Sequence, residues 1–190
     1  FIANVLSNPL VNEAVQTLLS NDGLILGICN GFQALIKSGL LPYGNIEGLN
    51  EASPTLFRNN INRHVSHIAT TKVTSNKSPW LSSFTPNDCH SIAMSHGEGK
   101  FVVSEEVAKE LFENGQVATQ YVDLEGNPTM DGTYNINGSY YAIEGITSKD
   151  GRILGKMGHS ERYEDGLFKN IDGNKLQNIF ENGVNYFKNK

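Results

Sequence analysis

Residues 23–33 read GLILGICNGFQ, and this stretch puts a cysteine between an apolar run and a glycine-bounded turn. The run GLILGI is short and apolar on both faces, which is typical of a central strand in a parallel sheet. The next segment, GFQALIKSGLL, has the apolar spacing of a helix, and Gly39 provides a stop signal. A buried strand, a tight turn and a helix in this order predict an α/β fold.

The flanking segments extend this pattern. Residues 7–23 predict a helix that Ser7 or Asn8 caps, and residues 104–115 and 171–190 predict two more helices. Alternating segments in the middle predict strands, and the Lys149-Asp150-Gly151 turn predicts a hairpin. We therefore expect one domain built on an open, doubly wound, mostly parallel sheet, flanked by helices and extended by antiparallel strands.

Charge and composition exclude several classes of protein. The chain of 190 residues has a formal net charge of −5 and shows no lysine or arginine cluster, which disfavours nucleic acid and anionic membranes as partners. It contains no apolar run near the roughly 20 residues that span a bilayer. Two cysteines do not form a disulfide framework for a domain of this size, so we expect a reducing, cytoplasmic setting. No metal is expected, because His64 and His67 lack further ligands nearby in the sequence.

The cysteine lies in a G-x-C-x-G pattern made by Gly27, Cys29 and Gly31. This is the pattern of a nucleophile elbow, in which a sharp strand-to-helix turn needs small neighbours and presents the nucleophile at the sheet edge. The helix N-terminus is expected to favour the thiolate, and the Asn30 N–H is a candidate oxyanion donor. The alternative is that Cys29 is a buried structural cysteine. Cys89 lacks such surroundings, and for it we expect a structural role.

A thiolate nucleophile needs a base, and the base needs an orienting carboxylate. Of the five histidines, His159 is the one beside a carboxylate in a plausible active-site loop, KMGHSERYEDG, where Glu161 lies two residues further on. The loop follows the apolar run RILGKM, so it is expected at the carboxyl end of a strand, where open α/β sheets bind ligands. Taken alone, this pair is better explained by a surface histidine near a glutamate, and the elbow at Cys29 reverses that preference.

The combination of GICNGFQ with HSER resembles the class I glutamine amidotransferases. The stretches TLFRNNINRH, SHGEGKFVV, YVDLEGNPT and NGSYYAIEGITSKDGRILGKMGHSERYE are similar to the glutaminase domains of phosphoribosylformylglycinamidine synthases, enzymes of purine biosynthesis. The resemblance runs essentially from end to end. It implies that Cys29 attacks the side-chain amide of glutamine to form a glutamyl thioester. It also implies that His159 transfers the proton and that Glu161 orients His159.

The same resemblance implies a substrate pocket and a partner. Gln33 would help to hold glutamine, and the backbone of Ser95, Gly97 and Glu98 would line the same pocket. Ammonia would pass to a synthase domain, of the same or a partner chain, that aminates formylglycinamide ribonucleotide with ATP and magnesium. The glutaminase part itself needs no cofactor.

Two departures from the family leave alternatives open. Ser160 occupies a position that is often proline in the family, between the catalytic histidine and glutamate. The strands and the oxyanion loop that precede the elbow in the family have no counterpart before Phe1, so we expect the C-terminal part of a longer chain, inactive by itself. The alternatives are a stand-alone glutaminase subunit and a non-catalytic module that docks on a synthase.

Overall fold

The structure is a computed structural model that describes residues 2–46 and 49–188. Its helices within those residues are α1 (Ile2–Leu6), α2 (Pro9–Ser20), α3 (Asn30–Ser38), α4 (Leu40–Tyr43), α5 (Glu105–Glu113) and α6 (Ile179–Lys188). Its strands are β1 (Ile25–Ile28), β2 (Thr55–Phe57), β3 (Val65–Val73), β4 (Cys89–His96), β5 (Lys100–Val102), β6 (Val117–Tyr121), β7 (Ile143–Thr147) and β8 (Ile153–Lys156). Short 3₁₀ turns cover Pro79–Leu81, Tyr140–Ala142 and Ser160–Arg162.

Six strands form one mixed sheet in the order β1-β8-β7-β6-β3-β4, and β2 pairs with β5 in a separate two-stranded ribbon. β1 and β8 are parallel, whereas the other neighbours in the main sheet are antiparallel. The α/β class and the flanking helices are confirmed. The expectation of a mostly parallel sheet is wrong for the described residues, because the β7–β8 hairpin and the long β3–β4 pairing each reverse the chain within the sheet.

The sheet is curled, which brings its two ends together. A bridge joins Ala93 on β4 to His159, which lies three residues after β8. β4, at one edge of the sheet, therefore meets the loop that follows β8, which lies next to the opposite edge. The His159 N–H donates to the Ala93 carbonyl at 2.8 Å. The curl therefore places β4 beside the carboxyl ends of β1 and β8.

Apolar side chains pack on both faces of the central strands. On β8, Ile153 belongs to the main core and Leu154 to a smaller core with Ile179 of α6. Consecutive residues of a strand point to opposite faces, so a strand that is covered on both faces needs adjacent apolar residues such as Ile153 and Leu154. α3 covers the main-core face with Phe32 and Leu35.

The local signals in the sequence are mostly confirmed. Asn8 caps α2, Gly39 ends α3 with φ 84°, and the hairpin between β7 and β8 turns through Gly151 at φ 82°. The polar stretch at residues 127–140, whose composition predicts a surface loop, is mostly exposed up to residue 134 but largely buried from residue 135 to residue 139. Its residues Asn137 and Ser139 are fully buried, because their side chains hydrogen-bond to the backbone around Gly99.

None of the helices in the described part of the chain has the length and apolar composition needed to cross a membrane.

Candidate active site

Cys29 occupies the turn between β1 and α3, as the G-x-C-x-G pattern predicts. Its backbone is left-handed, with φ 53° and ψ −105°, an arrangement that is strained for a residue with a side chain. Two hydrogen bonds fix it: the Cys29 N–H donates to the Lys156 carbonyl at 2.8 Å, and the Cys29 carbonyl accepts from the Gln33 N–H at 3.1 Å. The turn is therefore anchored both to β8 and to the first turn of α3.

The two glycines of the pattern play different parts. A Cβ at Gly27 would lie 2.5 Å from the Leu35 side chain and 2.8 Å from the Gly31 carbonyl carbon, so the close approach of β1 to α3 requires glycine there. A Cβ at Gly31 would meet no atom within 4 Å. The expectation that both neighbours must be small for packing therefore holds for Gly27 and not for Gly31.

The Cys29 thiol is half-buried and donates to the Ser95 carbonyl at 3.5 Å. Burial raises the pKa of this thiol, and the negative charge of Glu161 adds to the rise. A hydrogen bond from the Asn30 backbone N–H and the charge of Arg162 oppose it without cancelling it. The Asn30 N–H favours the thiolate, as expected at a helix N-terminus, but desolvation outweighs it and the pKa of Cys29 lies above its ordinary value.

His159 and Glu161 form the predicted pair. His159 Nδ1 lies 2.6 Å from Glu161 Oε1, and the imidazole is nearly buried while the carboxylate is partly exposed. The opposite nitrogen, Nε2, is buried and has no hydrogen-bond partner among the described residues. Cys29 and His159 follow neighbouring parallel strands, so both emerge at the same edge of the sheet.

The predicted pocket residues lie around this edge. Gln33 of α3 donates from Nε2 to the Glu98 carbonyl at 2.5 Å, and the Asn30 side chain donates to Gln33 Oε1 at 3.3 Å. Ser95 is near the end of β4 with its carbonyl on the Cys29 thiol, and Gly97 lies in the turn that follows. The structure thus links Asn30, Gln33 and Glu98 in one chain of hydrogen bonds.

Sequence reasoning missed two side chains that organise this turn. Asn59 is fully buried, donates from Nδ2 to the His96 carbonyl at 2.8 Å, and accepts from the Gly99 N–H at 3.1 Å. His64 Nε2 lies 3.2 Å from Ser95 Oγ. Asn59 comes from a polar stretch without periodicity, so the sequence offered no signal for it.

Glu144 and Lys156 were also missed, although the sequence did carry a signal for them. Each is a charged residue inside an apolar run, AIEGI and RILGKM, and both side chains are completely buried beneath the His159 loop.

The concave surfaces near the site are modest. A depression of about 210 Å³ adjoins Gly97 and Glu98 and is lined by Arg58, Arg63 and His64. A cavity of about 460 Å³ lies between α4 and α5, and none of its lining residues is a predicted site residue. The part of the chain that the structure describes contains no group of three or more His, Cys, Asp or Glu residues that could hold a metal ion.

Comparison with known proteins gives a consistent result. The chain is 36% identical over 166 residues to phosphoribosylformylglycinamidine synthase subunit PurQ of Gloeobacter violaceus, covering 87% of this chain and 66% of that protein. It is 38% identical over 169 residues to the subunit of the same name from Chlorobaculum parvum, covering 89% of this chain and 62% of that protein. The chain thus spans about two thirds of the length of these relatives.

A solved chain of PurLQS from Thermotoga maritima has the same fold, with a TM-score of 0.68 at 24% identity, over 96% of this chain and 71% of that one. The family model for a CobB/CobQ-like glutamine amidotransferase domain matches residues 1–187. Because that match covers nearly the whole chain, this protein belongs to the CobB/CobQ-like glutamine amidotransferase family.

Proposed function

We propose that the chain hydrolyses the side-chain amide of glutamine, with Cys29 as nucleophile, His159 as acid and base, and Glu161 as the residue that orients His159. One observation carries most of the argument. The imidazole is held through Nδ1 on Glu161, while Nε2 is buried and unpaired at the strand edge that Cys29 shares. An unpaired buried nitrogen costs free energy, and it suits a site that accepts a proton during reaction.

The chemistry follows from these positions. The Cys29 thiol passes its proton to His159 Nε2, and the sulfur attacks the amide carbon of glutamine to form a tetrahedral intermediate. His159 then returns the proton to the leaving nitrogen, so ammonia departs and a glutamyl thioester remains. Water, deprotonated by the same imidazole, attacks the thioester to release glutamate and to restore the thiol.

Substrate contacts are assigned to the groups around the elbow. The Asn30 N–H, which already faces the Cys29 sulfur, stabilises the oxyanion of the intermediate. Gln33 and the backbone of Ser95, Gly97 and Glu98 hold glutamine beside the thiol. The raised pKa of Cys29 means that the resting thiol is protonated and becomes nucleophilic only as His159 removes the proton.

The ammonia would be used by a synthase that converts formylglycinamide ribonucleotide to formylglycinamidine ribonucleotide with ATP and magnesium. The PurQ names of the relatives support this role and favour a separate subunit over one long chain. ATP and magnesium belong to the synthase part in this proposal, and the glutaminase part uses neither. We place the protein in the cytoplasm, a setting that suits its two free cysteines.

The proposal is tested by separating the two half-reactions in the whole protein with its synthase. Cys29→Ala and Cys29→Ser should abolish synthesis from glutamine and leave synthesis from added ammonia unchanged. Cys89→Ser is the matched control, because this exposed thiol donates only to the Asn87 carbonyl. If the Cys29 variants retain glutamine-dependent synthesis, the alternative of a docking module without catalysis replaces the proposal.

A further inference from the structure

A buried ion pair lies directly under the loop that carries His159. Glu144 of β7 and Lys156 of β8 have side chains with 0% exposure, and Lys156 Nζ is 3.8 Å from Glu144 Oε1. Neither group takes part in the chemistry proposed above. A fully buried lysine is rare, and a buried ion pair is weak evidence of stabilisation because desolvation offsets the attraction. The pair therefore needs another explanation.

The pair hydrogen-bonds to the loop on both sides of His159. The Gly158 N–H donates to Glu144 Oε1 at 2.5 Å, and Lys156 Nζ donates to the Gly158 carbonyl at 3.0 Å. Lys156 Nζ also donates to Ser160 Oγ at 3.1 Å. Both backbone groups of the residue before His159, and the hydroxyl of the residue after it, are thus bound to one buried pair.

Two further contacts hold the loop. Ser160 Oγ donates to Gln177 Oε1 at 2.7 Å, which ties the loop to the segment before α6. A Cβ at Gly158 would lie 2.7 Å from Ile92 and 3.0 Å from Lys156 Nζ, so the loop is packed against β4 and the pair without spare space. The hydroxyl of Ser160 makes contacts that a proline at this position could not make.

These contacts also connect the His159 loop to Cys29. Glu161 hydrogen-bonds to the imidazole at Nδ1, but Glu161 belongs to the same loop and does not tie that loop to the sheet. The Glu144–Lys156 pair belongs to the sheet, and Cys29 is anchored to the sheet through the Lys156 carbonyl. Lys156 consequently connects both partners of the proton transfer, one through its backbone and the other through its ammonium.

We propose that Glu144 and Lys156 are positioning residues that hold the His159 imidazole in register with the Cys29 thiol, with Ser160 as the link that carries this constraint across the loop. The inference rests on the proposed glutaminase function. A displacement of about 1 Å between reacting groups can cost about 10²-fold in rate. Binding of glutamine, which is assigned to other residues, should change little.

The test compares kcat and KM for glutamine hydrolysis in the whole protein with its synthase. Lys156→Met keeps the approximate length of the side chain but leaves the Glu144 carboxylate buried without its cation. The double variant Glu144→Gln with Lys156→Met avoids that charge and keeps an acceptor for the Gly158 N–H, so it stays folded if the single variant does not. We expect kcat of the double variant to fall about 10- to 100-fold, with KM within about twofold of the wild type. The kcat of Ser160→Ala should fall less than that of the double variant.

Gln116→Leu is the matched structural control. Gln116 is buried and donates to the carbonyls of Pro42 and Thr147, so its loss removes two buried hydrogen bonds away from the His159 loop. It should lower the midpoint of urea unfolding while kcat per folded molecule stays unchanged. The proposal is overturned if the double variant is folded with the kcat of the wild type, or if its kcat falls no more than that of Gln116→Leu.

A spectroscopic readout separates this inference from the proposed function. The ¹⁵N resonances of the His159 ring should show one state, protonated on Nδ1, in the wild type and in Gln116→Leu. The double variant should show shifted or broadened ring signals, and unchanged signals would overturn the positioning role. If Cys29→Ser hydrolyses glutamine as the wild type does, the glutaminase proposal fails, whereas the ring signals still decide whether the pair positions His159.

Discussion

Cys29 combines a strained backbone conformation with a half-buried side chain. Its left-handed φ of 53° lifts the sulfur out of the line of β1, and two backbone hydrogen bonds to Lys156 and Gln33 hold it there. Burial raises the pKa of the thiol, so the sulfur is protonated at rest and donates to the Ser95 carbonyl. If Cys29 is the nucleophile that we propose, its protonated thiol resists oxidation and alkylation until His159 removes the proton.

This state of the thiol has a measurable pH dependence. Because the pKa of Cys29 is raised above its ordinary value, the thiolate fraction at pH 7 is small and grows about tenfold per pH unit. In a Cys89→Ser background, the rate of alkylation by iodoacetamide should therefore keep rising from pH 7 to pH 9. A rate that is already level below pH 7 would instead indicate a thiolate–imidazolium pair and contradict the account.

His159 and Glu161 should differ in the size of their effects. Removal of the acid and base in His159→Ala is expected to lower kcat for glutamine hydrolysis by about 10²–10⁴-fold. Glu161→Gln should lower kcat less, since the proposed role of Glu161 is to orient the ring and not to transfer a proton. Steady-state kinetics on the whole protein give both values. If His159→Ala had the smaller effect, another residue would be the base.

The elbow is the element that brings these side chains together, and it depends on the fit between β1 and α3. Gly27 on β1 faces the Leu35 side chain and the Gly31 backbone at distances that leave no room for a methyl group. The strand and the helix therefore touch through their backbones at this point. The parallel pairing of β1 with β8 then delivers His159 to the same edge.

Alanine substitutions at the two glycines test this interpretation of the elbow. Gly27→Ala should destabilise the fold by about 1–3 kcal/mol, the usual cost of overpacking a core. Gly31→Ala should stay within about 1 kcal/mol of the wild type, because its Cβ enters open space and alanine suits a helix. Urea unfolding measures both. Equal losses at the two positions would show that the elbow is not packed as described.

At the scale of the whole molecule, the curl of the sheet buries polar groups next to the site. β4 returns to meet the loop after β8, and this encloses His96 at the end of β4 together with Asn59. Burial lowers the pKa of His96 to about 4, the charges of His64 and His159 act in the same direction, and Glu144 opposes them. His96 is thus kept neutral inside the fold.

That burial makes stability depend on pH. The unfolded chain protonates His96 near its ordinary pKa of 6.5, whereas the folded chain does so only near 4, so the unfolded state binds more protons in between. The contribution of His96 to the unfolding free energy is complete above pH 6.5, and about 3 kcal/mol of it is lost as the pH drops through 4. His96→Phe should flatten the slope of unfolding free energy between pH 7 and pH 4. An unchanged slope would contradict the assignment.

Local patterns predicted more of this molecule than long-range ones could. The elbow, the cap at Asn8 and the Gly151 hairpin each depend on a few adjacent residues, and each is confirmed. The strand directions were not predictable, because an apolar run looks the same whichever way its neighbour points. The raised pKa of Cys29 arises from burial that includes β4, 66 residues away at Ser95, and no local sequence signal reports such a contact.

The central claim is that Cys29 is the nucleophile that attacks glutamine, and covalent trapping tests it most directly. The whole protein is treated with a glutamine analogue that carries a chloroketone in place of the side-chain amide, and the modified cysteine is located by peptide mass spectrometry. The account predicts one adduct, on Cys29, that excess glutamine prevents and that His159→Ala slows. An adduct on the exposed Cys89 instead, or labelling of Cys29 that glutamine does not prevent, would contradict it.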